Sequence, residues 1–226
     1  MKTPVTLARL KTHLTYSWWK YLLAIAFCAL GMNLFFTMTQ AKAREDQKIE
    51  WVIYGDMYNT SIFSVWMENQ RAEYYPDQAE FVCNNISLAA DSAGVQAFLV
   101  RVAVGGEGDL LIVPRASFES FAENGLFIDL NTLEGVPEAI AAQGINPESG
   151  RWKGPDEAQH IYGIPLSKMP VLNSWFVDPS QDYLLCVRVN NGNEAITTKM
   201  LIKVLSEWTN GDASLSYTAY LEQTGN

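Results

Sequence analysis

Histidine and cysteine, which form many catalytic and metal sites, are scarce in this sequence. It contains two histidines, His13 near the amino terminus and His160 just before an apolar run. Isolated histidines of this kind are more typical of surface loops than of a general base, which must lie beside a reacting group. The spacings typical of metallopeptidases, thiol oxidoreductases, serine hydrolases and phosphate-binding loops do not occur. We therefore predict a protein that is not an enzyme and that uses no cofactor and no metal.

Glu107 and Asp109 are the closest approach to a carboxylate pair in the sequence. They flank Gly108 in a glycine-rich stretch that leads directly into the apolar run Leu110–Val113. A dinucleotide-binding turn would need a third glycine at the proper spacing and a helix after it, and the stretch has neither. We therefore predict a structural turn made by Gly106, Gly108 and Asp109, in which the Asp109 carboxylate braces the backbone.

Binding chemistry is better represented than catalysis. The strand-like run Ile49–Tyr54 leads into a polar loop, and Leu110–Val113 leads into Pro114 and Arg115. Parallel sheets bind ligands at the carboxyl ends of their strands, so these two segments should meet at one edge. Aromatic rings there can stack on a sugar, and charged groups can bind its hydroxyls, although aromatic residues are also frequent in cores. The predicted ligand-binding residues are Asp56, Tyr58, Asn59, Pro114, Arg115, Trp152 and Trp175.

The elements that must position these residues predict an α/β fold. Leu110–Val113 is apolar on both faces, as in a buried parallel strand, and Ala116–Asn124 has the apolar spacing of a helix that stops at Gly125. Glu194–Trp208 shows the same helical spacing. Ser92–Val104 is compatible with either a helix or a β-branched strand, and we favour the helix. The predicted architecture is a three-layer, mostly parallel sheet flanked by helices.

The remaining segments complete this prediction. We interpret Asn146–Asp156 as a surface loop, because glycine and proline are concentrated around it, and Ile161–Pro165 as a further strand. Cys83 and Cys186 either form one disulfide or remain as buried thiols on strands, and the strand context favours thiols.

Several motifs resemble those of extracellular solute-binding proteins of bacterial ABC importers, especially the sugar-binding group. The motifs are Gly-Glu-Gly-Asp-Leu-Leu from Gly106, Ala-Glu-Asn-Gly-Leu-Phe-Ile-Asp-Leu from Ala122, and Tyr-Gly-Ile-Pro from Tyr162. They are moderately specific, because glycines and small apolar residues dominate them. The similarity spans roughly Val95–Leu133 and extends back to Ile49. It implies one lobe of a periplasmic-binding-protein-like fold, a solute ligand and an ABC permease as partner.

The sequence departs from that family after Pro165. There the family inserts its second lobe, whereas about 20 residues separate Pro165 from the next strand-like run at Tyr183. The resemblance therefore covers the first lobe only, and trapping of a solute between two lobes is not expected.

The amino-terminal segment has the composition of a membrane anchor. Residues 1–20 contain four basic residues and no acidic residue, and the following run Tyr21–Met38 is apolar over 18 residues. A helix of that length spans about 27 Å, close to the thickness of a bilayer core. A signal peptide cleaved after Ala41-Lys42-Ala43 is the alternative, but its apolar region would be unusually long. We favour an uncleaved signal anchor.

The distribution of charge indicates on which side of the membrane the rest of the chain lies. Of 16 Lys and Arg residues, 4 lie in residues 1–20, so 12 remain against 25 acidic residues, a net charge of −13. The acid-free tail favours a cytoplasmic amino terminus, and the acidic remainder lacks the basic surface that nucleic-acid binding requires. The predicted organisation is a basic cytoplasmic tail (1–20), a transmembrane signal anchor (21–40), a linker (41–48), an extracytoplasmic α/β domain (49–208) and a polar carboxyl-terminal tail (209–226).

Two functional hypotheses follow. In the first, the chain is a membrane-anchored solute-binding-like protein that binds a sugar or another small solute for an ABC importer or a sensor. In the second, it is a single-lobe structural or protein-interaction module at the membrane surface, with a homodimer as one form of partnership. A polar-rimmed cleft would favour the first hypothesis, and an exposed apolar face would favour the second.

Overall fold

The computed structural model describes residues 7–39, 47–78, 80–88, 91–209 and 216–225. The chain divides into two compact units, Met1–Lys42 and Ala43–Asn226. The described part of the first unit is a single helix, and the described part of the second unit is a sheet with helices on both faces.

The described part of the first unit is one helix, α1 (Leu7–Thr39). It extends amino-terminally through most of the predicted basic tail. By length and composition, its segment Trp18–Phe36 could cross a membrane, with 19 residues and a mean hydropathy of 1.5. All side chains described in that segment are exposed within the unit. The Ala41–Ala43 cleavage motif and most of the predicted linker lie outside the described residues.

The second unit alternates strands and helices. Its strands are β1 (Lys48–Tyr54), β2 (Glu80–Ile86), β3 (Leu110–Pro114), β4 (Arg151–Lys153), β5 (Gln159–Ile161), β6 (Gly163–Pro165) and β7 (Tyr183–Val187). Its helices are α2 (Thr60–Tyr74), α3 (Asp91–Leu99), α4 (Arg115–Glu123), α5 (Val136–Ala142), α6 (Pro170–Asn173), α7 (Glu194–Trp208) and α8 (Tyr217–Thr224). A wider π-helical turn, Val100–Val104, extends α3, and short 3₁₀ turns occur at Leu130–Thr132, Glu148–Gly150 and Leu166–Lys168.

Five strands form one sheet in the order β2-β1-β3-β7-β6. Strands β2, β1 and β3 run parallel, whereas β7 is antiparallel to both β3 and β6. The sheet is therefore mixed, because one strand, β7, runs opposite to the other four. Strands β4 and β5 form a separate antiparallel hairpin.

The alternation of side chains along the strands creates two cores. Trp51 and Ile112 face one cluster, to which α2, α5, α6 and α7 contribute apolar residues. Val52 and Leu111 face the other cluster, which contains residues of α3 and α4. Helices on both faces complete the expected three layers, and the burial of both faces explains why β3 is apolar throughout.

Several sequence predictions are confirmed and others need correction. The helix over Ser92–Val104 and the helix Glu194–Trp208 are present. The single strand expected over Ile161–Pro165 is two strands, because Ile161 ends the hairpin and Gly163 begins a strand of the sheet. The surface loop expected over Asn146–Asp156 contains a 3₁₀ turn and β4.

The end of the chain also differs from a simple polar tail. Its described residues include α8, which is capped by Ser216, whose hydroxyl accepts a hydrogen bond from the Ala219 amide. Tyr217 and Tyr220 of α8 pack against the first core cluster, and both rings lie close to Trp175. The two tyrosine rings thus contact the domain, and the Tyr217 amide also donates to the Ser174 hydroxyl at 2.9 Å.

Candidate functional site

The carboxyl edge of the sheet brings together several loops. Strands β1, β2, β3 and β6 end at this edge, and β7 begins there, because it runs in the opposite direction. The segments that meet along the edge are therefore the loop after Tyr54, the residues after Ile86 and Pro114, and the connection between Pro165 and Tyr183. The sequence analysis predicts ligand contacts at this edge.

The Asp56 carboxylate is engaged within the protein. It accepts hydrogen bonds from the Ser87 hydroxyl at 2.5 Å and from the Leu88 amide at 3.0 Å. The Asn85 side chain donates to the Gly55 carbonyl oxygen at 2.9 Å. Asp56 therefore joins the loops after β1 and β2, and its first effect is to hold this corner of the sheet together.

Asn59 is likewise used by the local structure. Its side-chain oxygen accepts a hydrogen bond from the Ile62 amide at 3.0 Å, which caps the amino terminus of α2. The cap satisfies one of the amides that a helix leaves unpaired at its first turn.

The connection between β6 and β7 covers the edge beside β1. Phe176 forms a backbone bridge with Met57, and the Val177 amide donates to the Asp56 carbonyl oxygen at 2.9 Å. A β-carbon on Gly55 would lie 2.8 Å from the Phe176 ring and 2.9 Å from the Tyr183 ring. The Phe176 ring thus occupies the space that a side chain at Gly55 would need, and it closes this part of the edge to a solute.

Trp175 lies in the core rather than in a binding surface. Its exposed fraction is 0%, and its ring contacts Phe63 and Trp66 with centroid distances of 5.2 Å in both cases. The sequence could not separate a stacking tryptophan from a core tryptophan, since both require the same residue type. Here burial decides, and no face of the Trp175 ring is available to a sugar.

Tyr58 is the exposed member of the predicted set. It is 51% exposed, and one face of its ring stacks on Tyr217 with a centroid distance of 4.9 Å. Its hydroxyl donates to the Val177 carbonyl oxygen at 3.4 Å, and the Val177 side chain is itself 49% exposed. Tyr58 and Val177 therefore form a small apolar patch at the rim of the covered edge.

Pro114 and Arg115 occupy the centre of the edge. Pro114 is the buried last residue of β3, and the Arg115 amide donates to the Asp182 carbonyl oxygen at 2.7 Å. The Arg115 guanidinium lies over the Phe118 ring at 5.3 Å and donates to Glu119 at 2.9 Å. The described contacts of the Arg115 guanidinium are thus with residues of its own helix, α4.

Trp152 is placed apart from the other predicted residues. It belongs to the β4–β5 hairpin and packs against the cluster on the opposite side of the sheet from Trp175. The structure thus brings Asp56, Tyr58 and Asn59 together, and it does not bring Trp152 to them.

An open polar groove lies at the other end of the same edge, beyond β7. Its volume is about 480 Å³, within the range of small-molecule sites. The lining consists of hydroxyl, amide, carboxylate and ammonium side chains with two prolines: Asn146, Glu148, Ser149, Pro165, Ser167, Lys168, Pro179, Ser180, Gln181 and Asp182. The sequence analysis missed these residues, because Ser, Asn, Lys and Asp are common on any surface. The one available signal was the polar run from Asp178 to Asp182 between two apolar segments.

A larger depression of about 660 Å³ lies away from the carboxyl edge. It is lined by residues that flank the start of α7, including Glu194 and Lys199, and by residues after the Leu130–Thr132 turn. None of the strands ends there with a binding loop, so the smaller groove is the better candidate for a ligand. Within the described ranges, no group of three or more His, Cys, Asp or Glu side chains could hold a metal ion.

The glycine turn lies at the opposite, amino edge of the sheet. Gly106 and Gly108 adopt φ angles of 68° and 88°, which side chains disfavour. The Asp109 carboxylate accepts a hydrogen bond from the Glu50 amide at 2.8 Å and a longer one from the Asn193 side chain at 3.4 Å. Burial raises the pKa of Asp109, although these hydrogen bonds oppose the increase. This geometry is that of a brace for the backbone.

His160 has a more specific environment than the sequence indicated. Its Nδ1 atom lies 2.7 Å from an Asp129 carboxylate oxygen, and its Nε2 atom lies 2.8 Å from an Asp156 carboxylate oxygen. The contact with Asp156 and then that with Asp129 raise the pKa of His160. With no nucleophile beside it among the described residues, this arrangement serves as an ionic clamp.

The chain was compared with protein-family models, curated proteins and solved structures. No family model matches the sequence, and no curated protein matches it. Among solved structures, the chain is similar to an extracellular solute-binding protein of family 1 from Alicyclobacillus acidocaldarius, with 18% identity and a TM-score of 0.39. That match covers 52% of this chain and 27% of the other.

Other similar structures are of the same class. An ABC substrate-binding protein from Listeria monocytogenes, in complex with cycloalternan, has 16% identity and a TM-score of 0.37, covering 52% of this chain and 28% of that chain. The maltose/maltodextrin-binding domain MalE from Bdellovibrio bacteriovorus, bound to maltotriose, has 16% identity and a TM-score of 0.34, with the same coverages. These are binding proteins rather than enzymes. The likeness concerns the fold alone and spans little more than a quarter of their length.

Proposed function

We propose that this chain is a membrane-anchored, extracytoplasmic domain of the solute-binding type, which presents the polar groove at its carboxyl edge to a small solute such as a sugar for an ABC importer or a sensor. The observation that carries the proposal is the position of the groove. It lies where α/β sheets place their ligands, and its lining offers donors and acceptors without a concentration of one charge.

The groove favours a neutral polyhydroxyl compound over an ion. Glu148 and Asp182 are balanced in part by Lys168, and Glu148 also pairs with Arg151 at 3.2 Å. Hydroxyl groups of a solute can both donate to carboxylates and accept from the ammonium group. Because the groove is open and its lining has no aromatic ring, much of a bound solute would remain in water, and we expect weak binding.

Membrane anchoring rests on α1. The helix contains one segment, Trp18–Phe36, that is long and apolar enough to cross a bilayer, and it follows a basic, acid-free start. Protease treatment of spheroplasts that contain the full chain tests the proposed orientation. Digestion of the α/β domain from outside is the expected result, and full protection would place the domain in the cytoplasm.

Solute binding is tested on the full chain in detergent micelles by thermal shift against maltotriose, mannitol and neutral amino acids. A solute that binds the native state raises the melting temperature, and the increase keeps growing with the logarithm of the solute concentration above Kd. We expect a concentration-dependent increase with a polyol or sugar that Lys168→Ala abolishes. The matched control is Lys199→Ala, which alters a lysine of the other depression and should leave the increase intact. Equal shifts in both variants would contradict the groove as the site.

A protein-interaction module is the second candidate, and the covered edge beside β1 favours it. There Phe176 fills the space at Gly55, and Tyr58 and Val177 remain half exposed side by side. A photo-crosslinking residue at position 58 in native membranes tests this function, with position 65 on α2, which is also exposed, as the control. A defined crosslinked product at position 58 alone supports a partner or a second copy, and no product at position 58 contradicts it.

A further inference from the structure

The β4–β5 hairpin is closed by one histidine that lies between two carboxylates. Each ring nitrogen of His160 is within hydrogen-bonding distance of a different carboxylate, at 2.7 Å from Asp129 and 2.8 Å from Asp156. A carboxylate accepts hydrogen bonds, so both nitrogens must donate to satisfy this geometry. A neutral imidazole carries one N–H group, and only the imidazolium carries two. The closed clamp is therefore the protonated form of His160.

The local backbone is adapted to this clamp. A β-carbon on Gly154 would lie 2.7 Å from the His160 ring and 3.0 Å from the Asp156 carboxylate. The same Asp156 oxygen accepts a hydrogen bond from the Ala158 amide at 3.0 Å, and the Gly154 amide donates to the Ala158 carbonyl oxygen at 2.9 Å. Glu157 adopts a φ angle of 67°, which is unfavourable for a residue with a side chain. The turn therefore carries backbone strain that its contacts must offset.

The clamp ties the hairpin to the body of the domain. Asp129 accepts from the Asn131 amide at 3.0 Å, and the preceding Ile128 amide donates to the Val187 carbonyl oxygen at 3.0 Å, at the end of β7. Asp156, in contrast, belongs to the hairpin turn. His160 thus links Asp129, which lies next to a residue bonded to β7, to Asp156 at the tip of the hairpin.

Both ends of the hairpin continue into the polar groove. Before β4, the chain forms the Glu148–Gly150 turn, whose first two residues line the groove. After β5, the Tyr162 amide donates to the Gly150 carbonyl oxygen at 2.9 Å, and β6 then ends at Pro165 in the groove wall. A movement of the hairpin would therefore reach the groove wall at Glu148 and Ser149, whereas Pro165 is held in the sheet by β7.

The groups that face His160 define its titration. They are Asp156 on the turn, Asp129 from the segment beside it, and the Tyr162 phenol, whose ring centroid lies 6.1 Å away. Lys153 and Glu157, on the same hairpin, pair with each other at 3.2 Å. The contacts with the carboxylates raise the pKa of His160, and the contact with His160 lowers the pKa of Asp156.

The sign of the pH dependence follows from these directions. Because the folded chain binds the His160 proton more tightly than the unfolded chain, this stabilisation is complete below about pH 6.5, the ordinary value for histidine, and is lost as the pH rises through the raised pKa. The lowered pKa of Asp156 gives a contribution that is present above about pH 4 and is lost in stronger acid. The clamp is thus closed in mildly acidic solution and opens as the pH rises through the raised pKa of His160.

We propose that the Asp129–His160–Asp156 clamp is a proton-operated latch that holds the hairpin, and with it the groove wall at Glu148 and Ser149, in the shape that binds a solute. The solute-binding part of this inference rests on the proposed function, whereas the latch itself does not. A proton added to His160 closes the latch, and its loss to bulk water opens the tip of the hairpin.

The test uses the full chain in lipid nanodiscs, with His13→Gln so that a ¹³C-histidine label reports on His160 alone. We expect His160 to titrate above the ordinary value. We also expect hydrogen-exchange protection of the Gly154 and Ala158 amides to fall as the pH rises. The total fall should be about tenfold for each unit by which the pKa of His160 exceeds its ordinary value. Asp156→Asn should remove most of the pH dependence and keep an acceptor for the Ala158 amide. The matched control, Glu157→Gln, removes a carboxylate of the same turn that does not contact His160 and should behave as the native chain.

The outcomes separate the latch from the solute site. Protection that is independent of pH, or an unshifted His160 titration, overturns the latch. A working latch with a sugar-induced thermal shift that is larger at pH 6 than at pH 8.5 supports the complete proposal. A working latch without any thermal shift at either pH retains the latch and contradicts the proposed solute-binding function.

Discussion

Two turns of the second unit use an aspartate to hold the backbone, in very different surroundings. In the glycine turn, Asp109 is 4% exposed and accepts from the Glu50 amide. In the hairpin turn, the Asp156 side chain is 58% exposed and accepts from the Ala158 amide and from His160. The same functional group therefore acts once in the core and once at the surface.

The comparison shows that burial decides what such a contact contributes. A buried amide that loses its acceptor cannot turn to water, so its loss is costly, whereas an exposed amide can be resolvated. The glycine turn should therefore control whether the domain folds. The hairpin turn should have little effect on folding, because an exposed ion pair contributes little to the free energy of unfolding. Its contacts can respond to pH, because water readily replaces them.

The largest expected effect comes from Gly108→Ala in the glycine turn. Gly108 has a φ angle of 88°, and its β-carbon would lie 2.7 Å from Leu111 and 2.9 Å from Val52, both in the core. Backbone strain and overpacking together should reduce the free energy of unfolding by about 3 kcal/mol. Urea denaturation of the full chain in micelles, followed by tryptophan fluorescence, measures the loss. A variant as stable as the native chain would show that the turn is more compliant than its contacts indicate.

Asp109→Ala should have the next largest effect. It removes the acceptor of the partly buried Glu50 amide, and we expect a loss of about 2 kcal/mol in the same denaturation experiment. Asp109→Asn is the matched control, because the amide oxygen can still accept from Glu50 and the buried charge is removed. The prediction is contradicted if the two variants are equally destabilised, since that would assign the effect to the charge.

The third prediction concerns pH and the hairpin. Because the pKa of His160 is raised by Asp156 and Asp129, the stability of the native chain should decline as the pH rises from 6 to 9. His160→Gln should be stable to a similar degree at both pH values. Thermal denaturation at a series of pH values gives both curves, and parallel curves for the two proteins would rule out a contribution from His160.

The smallest expected effect on stability is that of Gly154→Ala. Its β-carbon would meet the His160 ring and the Asp156 carboxylate, which are side chains at the surface and can move aside. We expect a change within about 1 kcal/mol in the free energy of unfolding, together with a weaker pH dependence of hairpin protection. A loss as large as that of Gly108→Ala would remove the distinction between the two turns.

The sequence was sufficient for the elements whose burial leaves a periodic pattern. Strand β3 is apolar on both faces, and α7 repeats its apolar residues at helical spacing, so both were predictable. Strands β5 and β6, each of three residues, are too short for a periodicity, and the chain changes sheets between them at Tyr162. The antiparallel direction of β7 depends on the path of a distant connection, which no local pattern records.

The candidate site was less predictable, for a related reason. The closure of the edge depends on Phe176 meeting Gly55, which lie far apart in the sequence. Trp175 and Tyr58 are both aromatic, and only tertiary packing makes one a core residue and the other a surface residue. The clamp joins two residues of the hairpin, Asp156 and His160, to Asp129 from a distant segment, and His160 alone gave no sign of its two carboxylate partners.

The openness of the groove determines how quickly a solute would exchange under the proposed function. The groove walls at Pro165 and Asp182 flank the hydrogen-bonded pair β6 and β7, and the connection between those strands folds back over the same lobe. Under the proposed function, a solute would enter and leave the open groove without a hinge motion, so the chain would exchange its solute rapidly instead of storing a captured molecule.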